Sequence, residues 1–437
     1  MIKRRLLGYL DKIKYLNNCQ FGFIAGKSTE EALLHFLSHV YEAFNISEKC
    51  TALFIDIAKA FDTVDHSILI MKLANIGVRG KLLKWFESNL RNRHQVVKIG
   101  DTISDSGILP CGVPQGSVLG PILFLIYFNS IFEINLLGVP TAFADDLVLS
   151  YSLNDNCLDA QVAVQRDLLT LSKWFFYHRL IVSDKSRIMN FARGNNVVIP
   201  NPLIYHSFTC GGNPCTSLCF ALDFVTEFKY LGLLLDYQLN WNSHIDNIKK
   251  SVIITIHKFY NLRQICPTYT LRKLYHAFVE SLIMYGISCW GGIYFTHVEG
   301  LYIAQKRIVK LIYHRTKRTP TIPLFRELNL LPLRYLYVYK VLKMFFIRSE
   351  RFHSRKAQPY YIRNPNRFLH IRCNTEKFRR FYLFMAPYWF HKLPQHLKLL
   401  NTERIHQFKR EVRKWLLNID NIEEFFNYKT NRLLHKI

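Results

Sequence analysis

Two adjacent carboxylates, Asp145 and Asp146, interrupt an apolar run, TAFADDLVLSY. Short apolar strands on either side make this segment a hairpin with the acids at its tip. Withdrawn from water, two neighbouring carboxylates repel at a cost on the order of several kcal/mol, which a bound cation removes. A solvated turn avoids that cost altogether, and an isolated Asp-Asp pair is more often such a turn.

A third acid changes the weighing. TALFIDI, from Thr51 to Ile57, reads as a buried strand and leaves Asp56 at its C-terminal end, while Asp65 can cap a following helix that runs towards Ala74. If the two strand regions are neighbours in one sheet, Asp56, Asp145 and Asp146 meet. Hard divalent cations such as Mg²⁺ take oxygen ligands, and phosphoryl transfer commonly uses two ions about 3.5–4 Å apart. Three carboxylates suffice to hold such a pair.

The segments between these acids extend the pattern. HQVVKIG and TISDSGI flank Gly100 and Asp101 as a hairpin, and Pro110 to Gly116 form a loop rich in Gly and Pro. SVLGPILFLIYFNSIFEI is apolar nearly all round, so it should be a helix buried beneath the sheet, with Pro121 in its first turn. A further helix is expected from about Leu158 to Tyr177, then a strand containing Lys185 to Phe191. This alternation predicts an α+β fold with antiparallel pairing at the acidic tip, arranged like the palm of a right-hand polymerase. Beyond about Trp241, long helical segments carry many Lys, Arg, Tyr and Phe residues, so a boundary is placed near 240, dividing 1–240 from 241–437.

Several side chains near the acids have both a functional and a bland reading. Phe61 can floor a sugar-binding site, but as a lone aromatic it is more often core. GVPQGS, Gly112 to Ser117, lets a backbone approach a base or nucleotide closely, with Gln115 as a hydrogen-bonding group; a helix-entry turn accounts for the loop equally well. Lys185 can neutralise a triphosphate or protonate a leaving group, although a surface lysine is the default.

Charge points to the partner. The chain has 437 residues, with 58 Lys and Arg against 32 Asp and Glu, a formal charge of +26, and its 49% hydrophobic content excludes general disorder. Such a surface suits a polyanion, and phosphate backbones bound by counterion release give salt-sensitive affinity. No apolar run reaches the roughly 18 residues of a membrane span. The basic start, MIKRRLLGYLDKIKYL, is broken by Asp11 and lysines and reads as no secretion leader. Ten scattered cysteines suit a reducing compartment, so an intracellular protein is expected, in nucleus or cytoplasm. Cys210, Cys215 and Cys219 do cluster in CGGNPCTSLC, but no fourth ligand stands at a recognised zinc spacing.

Taken together, QFGFIAGKSTEEAL (Gln20 to Leu33), ALFIDIAKAFDTVDH (Ala52 to His66), GVPQGSVLGPILFLIYFNSI (Gly112 to Ile131) and AFADDLVLS (Ala142 to Ser150) resemble the successive blocks of non-LTR retrotransposon reverse transcriptases, the LINE type and especially its jockey-like branch. YLGLLLD with LNWNSHI, then YGISCWGG and LYIAQKRIVKLI, are similar to the family's thumb and downstream segment, so the resemblance covers at least residues 1–315. It implies a palm with partial fingers, followed by a helical, basic thumb and C-terminal region. It further implies an RNA-directed DNA polymerase acting on an RNA template, a DNA primer and dNTPs with two Mg²⁺ ions, Mn²⁺ being a substitute. Carried over by position, Asp56, Asp145 and Asp146 become catalytic metal ligands and Phe61 the sugar gate. Gln115, Gly116 and Lys27 become nucleotide and template contacts, and Lys185 the later catalytic lysine.

Three departures from the family pattern stand out. Ile24 replaces the arginine usual after QFGF, Val182 replaces an asparagine three residues before the lysine, and the chain starts just upstream of QFGF. The last implies an N-terminal truncation, with any endonuclease supplied from elsewhere. An RNA-dependent RNA polymerase shares palm chemistry but usually carries Gly before the paired aspartates and tolerates ribose, against which Phe61 argues. The non-enzymatic alternative is a truncated relic that only binds RNA.

Overall fold

The computed structural model describes residues 1–46, 49–153, 157–194, 203–210, 219–316, 318–348 and 373–426. Its contacts divide the chain into two compact units, Met1–Ala43 with Glu48–Glu227, and Phe44–Ser47 with Phe228–Ile437.

The first unit is built around β1 (Lys49–Ile55), whose apolar KCTALFI is buried on both faces. Chain order then gives β2 (Arg93–Gln95), β3 (Lys98–Ile99), β4 (Thr102–Ile103), β5 (Gly107–Leu109), β6 (Val139–Phe143), β7 (Asp146–Leu153), β8 (Arg187–Phe191), β9 (Leu203–Tyr205) and β10 (Phe220–Phe224). Six of these form one sheet in the order β6-β7-β1-β8-β10-β9, antiparallel except for the parallel pair β8 and β10. The expected hairpin about Gly100 forms as β3 with β4, extended by the pairing of β2 with β5.

Helices α1 (Ile2–Lys12), α2 (Thr29–Asn45), α3 (His66–Asn75), α4 (Gly80–Leu90), α5 (Gly120–Phe128) and α6 (Cys157–Tyr177) cover the sheet. Alternation along β1 sorts its side chains between two layers. Leu53 and Ile55 join a core with Leu147 and Leu149 of β7, Ile122, Leu123 and Phe124 of α5, and Leu168 and Leu171 of α6. Phe54 and Phe191 turn the other way, where Phe36 of α2 meets them edge-on at 5.7 and 5.9 Å between centroids. Each such buried side chain contributes on the order of 1.5–3 kcal/mol. As its composition requires, α5 is buried on every side except at Pro121, which stands in its first turn. Asp65 caps α3, its Oδ1 accepting from the Ile68 N–H at 2.9 Å.

Two strand limits differ from the sequence reading. β1 stops at Ile55, because Ile57 leaves the ladder for an isolated bridge to Val182. Lys185 lies in a turn ahead of β8 and not in the strand, which begins at Arg187.

The second unit takes up the chain within β11 (Glu227–Tyr230), which pairs with β12 (Leu233–Asp236) and is followed by helices with little strand. This hairpin therefore falls with the helices, ahead of the division expected near 240. α7 (Asn242–Leu262) buries Ile245, Ile248, Val252, Ile256 and Phe259 along one face, the three-and-four spacing of an amphipathic helix, and packs against the helix Phe295–Ile312. Buried Gln305 ties three segments together: it donates to the Tyr275 hydroxyl (2.7 Å) and the Leu331 carbonyl (3.1 Å) and accepts from the Leu333 N–H (2.9 Å). Among the described residues, no helix is long and apolar enough to cross a membrane.

Candidate active site

Strand pairing brings the three acids to one end of the sheet. β6 and β7 pair Phe143 with Asp146, leaving Ala144 and Asp145 as a two-residue turn. β1 pairs Ile55 with Leu147, so the same register, continued by one residue, sets Asp56 opposite Asp146. The hairpin tip and the C-terminal end of β1 thus lie at one end of the sheet, because β7 and β1 are neighbours in it.

The electrostatics follow from that convergence. Desolvation, then the charges of Asp145 and Asp56, push the Asp146 carboxyl up to about 6, even though much of its surface stays open to solvent. Asp145 is pushed up as well, first by burial and then by Asp56, against a lowering backbone hydrogen bond. Among the described residues, no basic side chain forms a salt bridge with any of the three. Three carboxylates at one end of the sheet, two of them raised by burial and by their neighbours' charge, suit a hard divalent cation.

Backbone contacts hold each acid in place. The Asp56 N–H donates to Ser186 Oγ (3.1 Å), and its carbonyl accepts from the Ser183 N–H (2.8 Å). Ser186, nearly fully buried, in turn donates its hydroxyl to the Ser183 carbonyl at 2.8 Å. Ala144 adopts the left-handed region at φ +59°, as tight two-residue hairpins require at their first position. A side chain costs energy there, and the turn is clamped by a segment more than a hundred residues earlier. Gln20 Oε1 accepts from the N–H groups of Ala144 (2.9 Å) and Gly22 (2.8 Å), and Gln20 Nε2 donates to the Ala144 carbonyl (3.2 Å). Gly22 is obligatory in this contact, since a Cβ there would lie 2.3 Å from the Ala144 nitrogen.

The loop residues assemble beside the acids' strand. Phe61, half-buried, stacks on Phe124 at 4.4 Å and meets exposed Phe23 edge-on at 6.1 Å. The Pro110–Gly116 loop docks on residues 61–64 through Val113 N–H to the Phe61 carbonyl and Gly112 N–H to the Val64 carbonyl, both 2.8 Å. Gly112 sits at φ +93°, where a Cβ would meet the Asp62 carbonyl oxygen at 2.8 Å. Gln115 Nε2 donates to Asp62 Oδ1 at 2.9 Å, and Gly116 stands exposed at φ +73°.

The two lysines are placed differently. Lys185 is exposed in the 183–186 turn that carries Asp56's backbone partners. Lys27 turns back on its own segment, donating to the carbonyls of Asn18 (2.9 Å) and Gln20 (2.7 Å), with its ammonium 4.9 Å from the Phe21 ring centroid. Sequence reasoning did not single out Gln20, Ser183, Ser186 or Asp62. Only the glutamine and glycine of QFG signal the clamp, and nothing local shows what they hold.

A family model described as reverse transcriptase (RNA-dependent DNA polymerase) matches residues 1–235. The chain is 28% identical over 341 residues to the probable RNA-directed DNA polymerase from transposon BS of Drosophila melanogaster, covering 76% of this chain and 36% of that protein. It is 27% identical over 366 residues to the probable RNA-directed DNA polymerase from transposon X-element of the same organism, covering 81% and 38%. The chain thus spans little more than a third of these relatives' length. A telomerase structure from Candida tropicalis, in complex with a TWJ fragment of telomeric RNA, superposes with a TM-score of 0.38 at 12% identity, over 78% of this chain and 54% of that one.

Proposed function

Because the chain belongs to the reverse transcriptase family, by a match over more than half its length, we propose that it adds dNTPs to a primer 3′-hydroxyl on an RNA template. The observation that carries this reading is the convergence of Asp56, Asp145 and Asp146, with raised proton affinity at Asp145 and Asp146. These three carboxylates would hold two Mg²⁺ ions, with Mn²⁺ as a substitute. When bound, the ions would stabilise the attacking and leaving oxygens of an in-line displacement.

The chain's own residues supply position. Phe61, backed by Phe124, floors the sugar site and excludes a 2′-hydroxyl by contact. Gln115, oriented by Asp62, and the open backbone at Gly116 face the nucleotide and template. Lys185, exposed on the turn that supports Asp56, would meet the leaving pyrophosphate as a cation or proton donor. The first unit acts as palm with partial fingers, and the helical second unit as thumb and C-terminal region. The charge of +26 holds the template–primer duplex by its phosphates.

Primer extension by the purified chain on a primed RNA template, with dNTPs and Mg²⁺ or Mn²⁺, tests the proposal. A divalent-dependent DNA product that disappears in Asp145→Ala supports it. Salt-sensitive RNA binding with no product under either metal overturns it and leaves a nucleic-acid-binding protein.

A further inference from the structure

A second cluster of metal-ligating side chains lies at the sheet's far edge, around β9 and β10. His206 directly follows β9 and Cys219 directly precedes β10. Tyr205 pairs with Phe220, so the same register, continued outward, sets His206 opposite Cys219. Cys210 is returned to this pair by a turn in which its N–H donates to the Ser207 carbonyl at 2.8 Å. The ligand atoms of all three lie within 4.8 Å of one another.

We propose that His206, Cys210 and Cys219 form a zinc site that clips the β9–β10 edge of the sheet, separate from the carboxylate site. Zn–S bonds of about 2.3 Å and Zn–N bonds of about 2.0–2.1 Å at tetrahedral angles put a bound sulfur and nitrogen about 3.6 Å apart. Cys210 Sγ and His206 Nδ1 stand 3.8 Å apart, and neither cysteine is in a disulfide. The Ser207 N–H donates to Cys219 Sγ at 3.3 Å, the kind of outer contact that stabilises a metal-bound thiolate. Two sulfurs and an imidazole select a softer ion than Mg²⁺, so this site and the carboxylates take different metals. Three protein ligands leave one tetrahedral position for a further donor. Cys215, which the sequence grouped with these cysteines, lies outside the described residues.

The ladder explains why sequence spacing concealed the set. His206 and Cys210 are four apart, but Cys219 arrives through strand pairing, and the histidine lies outside the cysteine-rich stretch. Closing this hairpin by metal stabilises β9, a three-residue edge strand with little ladder of its own. Binding releases thiol protons and couples metal occupancy to local folding.

The test is zinc content, by inductively coupled plasma mass spectrometry, of the full chain purified in reductant without strong chelator, alongside Cys210→Ser, Cys219→Ser and His206→Asn. Cobalt absorption after exchange identifies the donors. About one zinc per wild-type chain, lost in each cysteine variant, together with a thiolate-to-cobalt charge-transfer band, is the expected result. A variant that fails to fold is distinguished by its far-ultraviolet circular dichroism, and Cys210→Ser, outside the sheet, provides the cleanest comparison. Wild-type protein without stoichiometric zinc, zinc unchanged in Cys210→Ser, or a native Cys210–Cys219 disulfide would each overturn the proposal.

Discussion

Gln20 clasps Ala144 from both sides, its carboxamide oxygen accepting the Ala144 N–H at 2.9 Å and its nitrogen donating to the Ala144 carbonyl at 3.2 Å. Ala144 is the left-handed residue beside the paired aspartates, so this one amide holds the hairpin tip in its strained shape. Removing it leaves buried backbone groups unsatisfied, at roughly 1–3 kcal/mol. Gln20→Ala should lower kcat about tenfold or more, with the dissociation constant for primed RNA unchanged. Steady-state kinetics and filter binding on the same preparation separate the two effects. A wild-type kcat in the variant would show that the tip keeps its geometry without the clamp.

Gly22→Ala should be worse than Gln20→Ala, because the new methyl meets backbone and not a yielding side chain. The variant is expected to lose activity and to unfold earlier by roughly 1–3 kcal/mol. Urea denaturation followed by circular dichroism checks this, and an unchanged midpoint would refute the contact.

Phe61→Val should relax discrimination against ribonucleotides. A pocket that loses contact surface of this size gives up selectivity of roughly 10- to 200-fold. Incorporation of each rNTP against its dNTP, measured at single-nucleotide resolution, reads the change. Phe124→Ala, which removes the ring stacked beneath Phe61, should move selectivity in the same direction. Selectivity unmoved in both variants would return Phe61 to a packing role.

Acid should destabilise the first unit through His178. Burial, followed by the charge of Lys72, lowers its pKa to about 4 from 6.5, against a raising hydrogen bond to the Trp174 carbonyl. The folded state therefore favours neutral imidazole, which also stacks on Trp174 at 3.9 Å. That contribution is fully present above pH 6.5 and is lost as pH falls towards 4, because the unfolded chain takes up the proton first. Thermal melts between pH 7 and 4 should show a drop that is smaller in His178→Phe, which keeps the stack. An identical pH slope in the two proteins would contradict this assignment.

In the second unit, Glu280 accepts two hydrogen bonds from Arg413 at 3.2 Å each and pairs with His276 at 2.9 Å. Burial alone would raise its pKa, but His276 and Arg413 together bring it below the ordinary value. Arg413→Met should cost roughly 2–4 kcal/mol, since it strands a mostly buried carboxylate. Arg413→Met with Glu280→Gln should recover part of the loss. Chemical denaturation of the three proteins completes the cycle, and a single variant within 0.5 kcal/mol of wild type, roughly the scatter of a neutral surface change, would leave the pair without a role.

Local pattern made the acidic hairpin legible. Phe143 and Asp146 pair across two residues as the apolar runs around them require, and the all-round apolar α5 is buried as read. The Asp65 cap was equally visible, because a cap is a contact over three residues. Lys185 was misplaced because the apolar residues after it continue a strand-like pattern, whereas Ser183 and Ser186 fold the preceding residues into a turn against Asp56. Gln20's hold on Ala144 and His206's position across from Cys219 depend on pairing between distant segments, which no window of sequence contains.

Single-turnover primer extension with Asp56→Ala, Asp145→Ala and the double variant tests the central claim most directly. If the carboxylates act as one metal-holding unit, each single change should slow extension by about a thousandfold or more, and the double variant should be scarcely slower than either. Robust extension by Asp145→Ala, or small losses that multiply in the double variant, would contradict a shared catalytic site at the end of β1 and the tip of the β6–β7 hairpin.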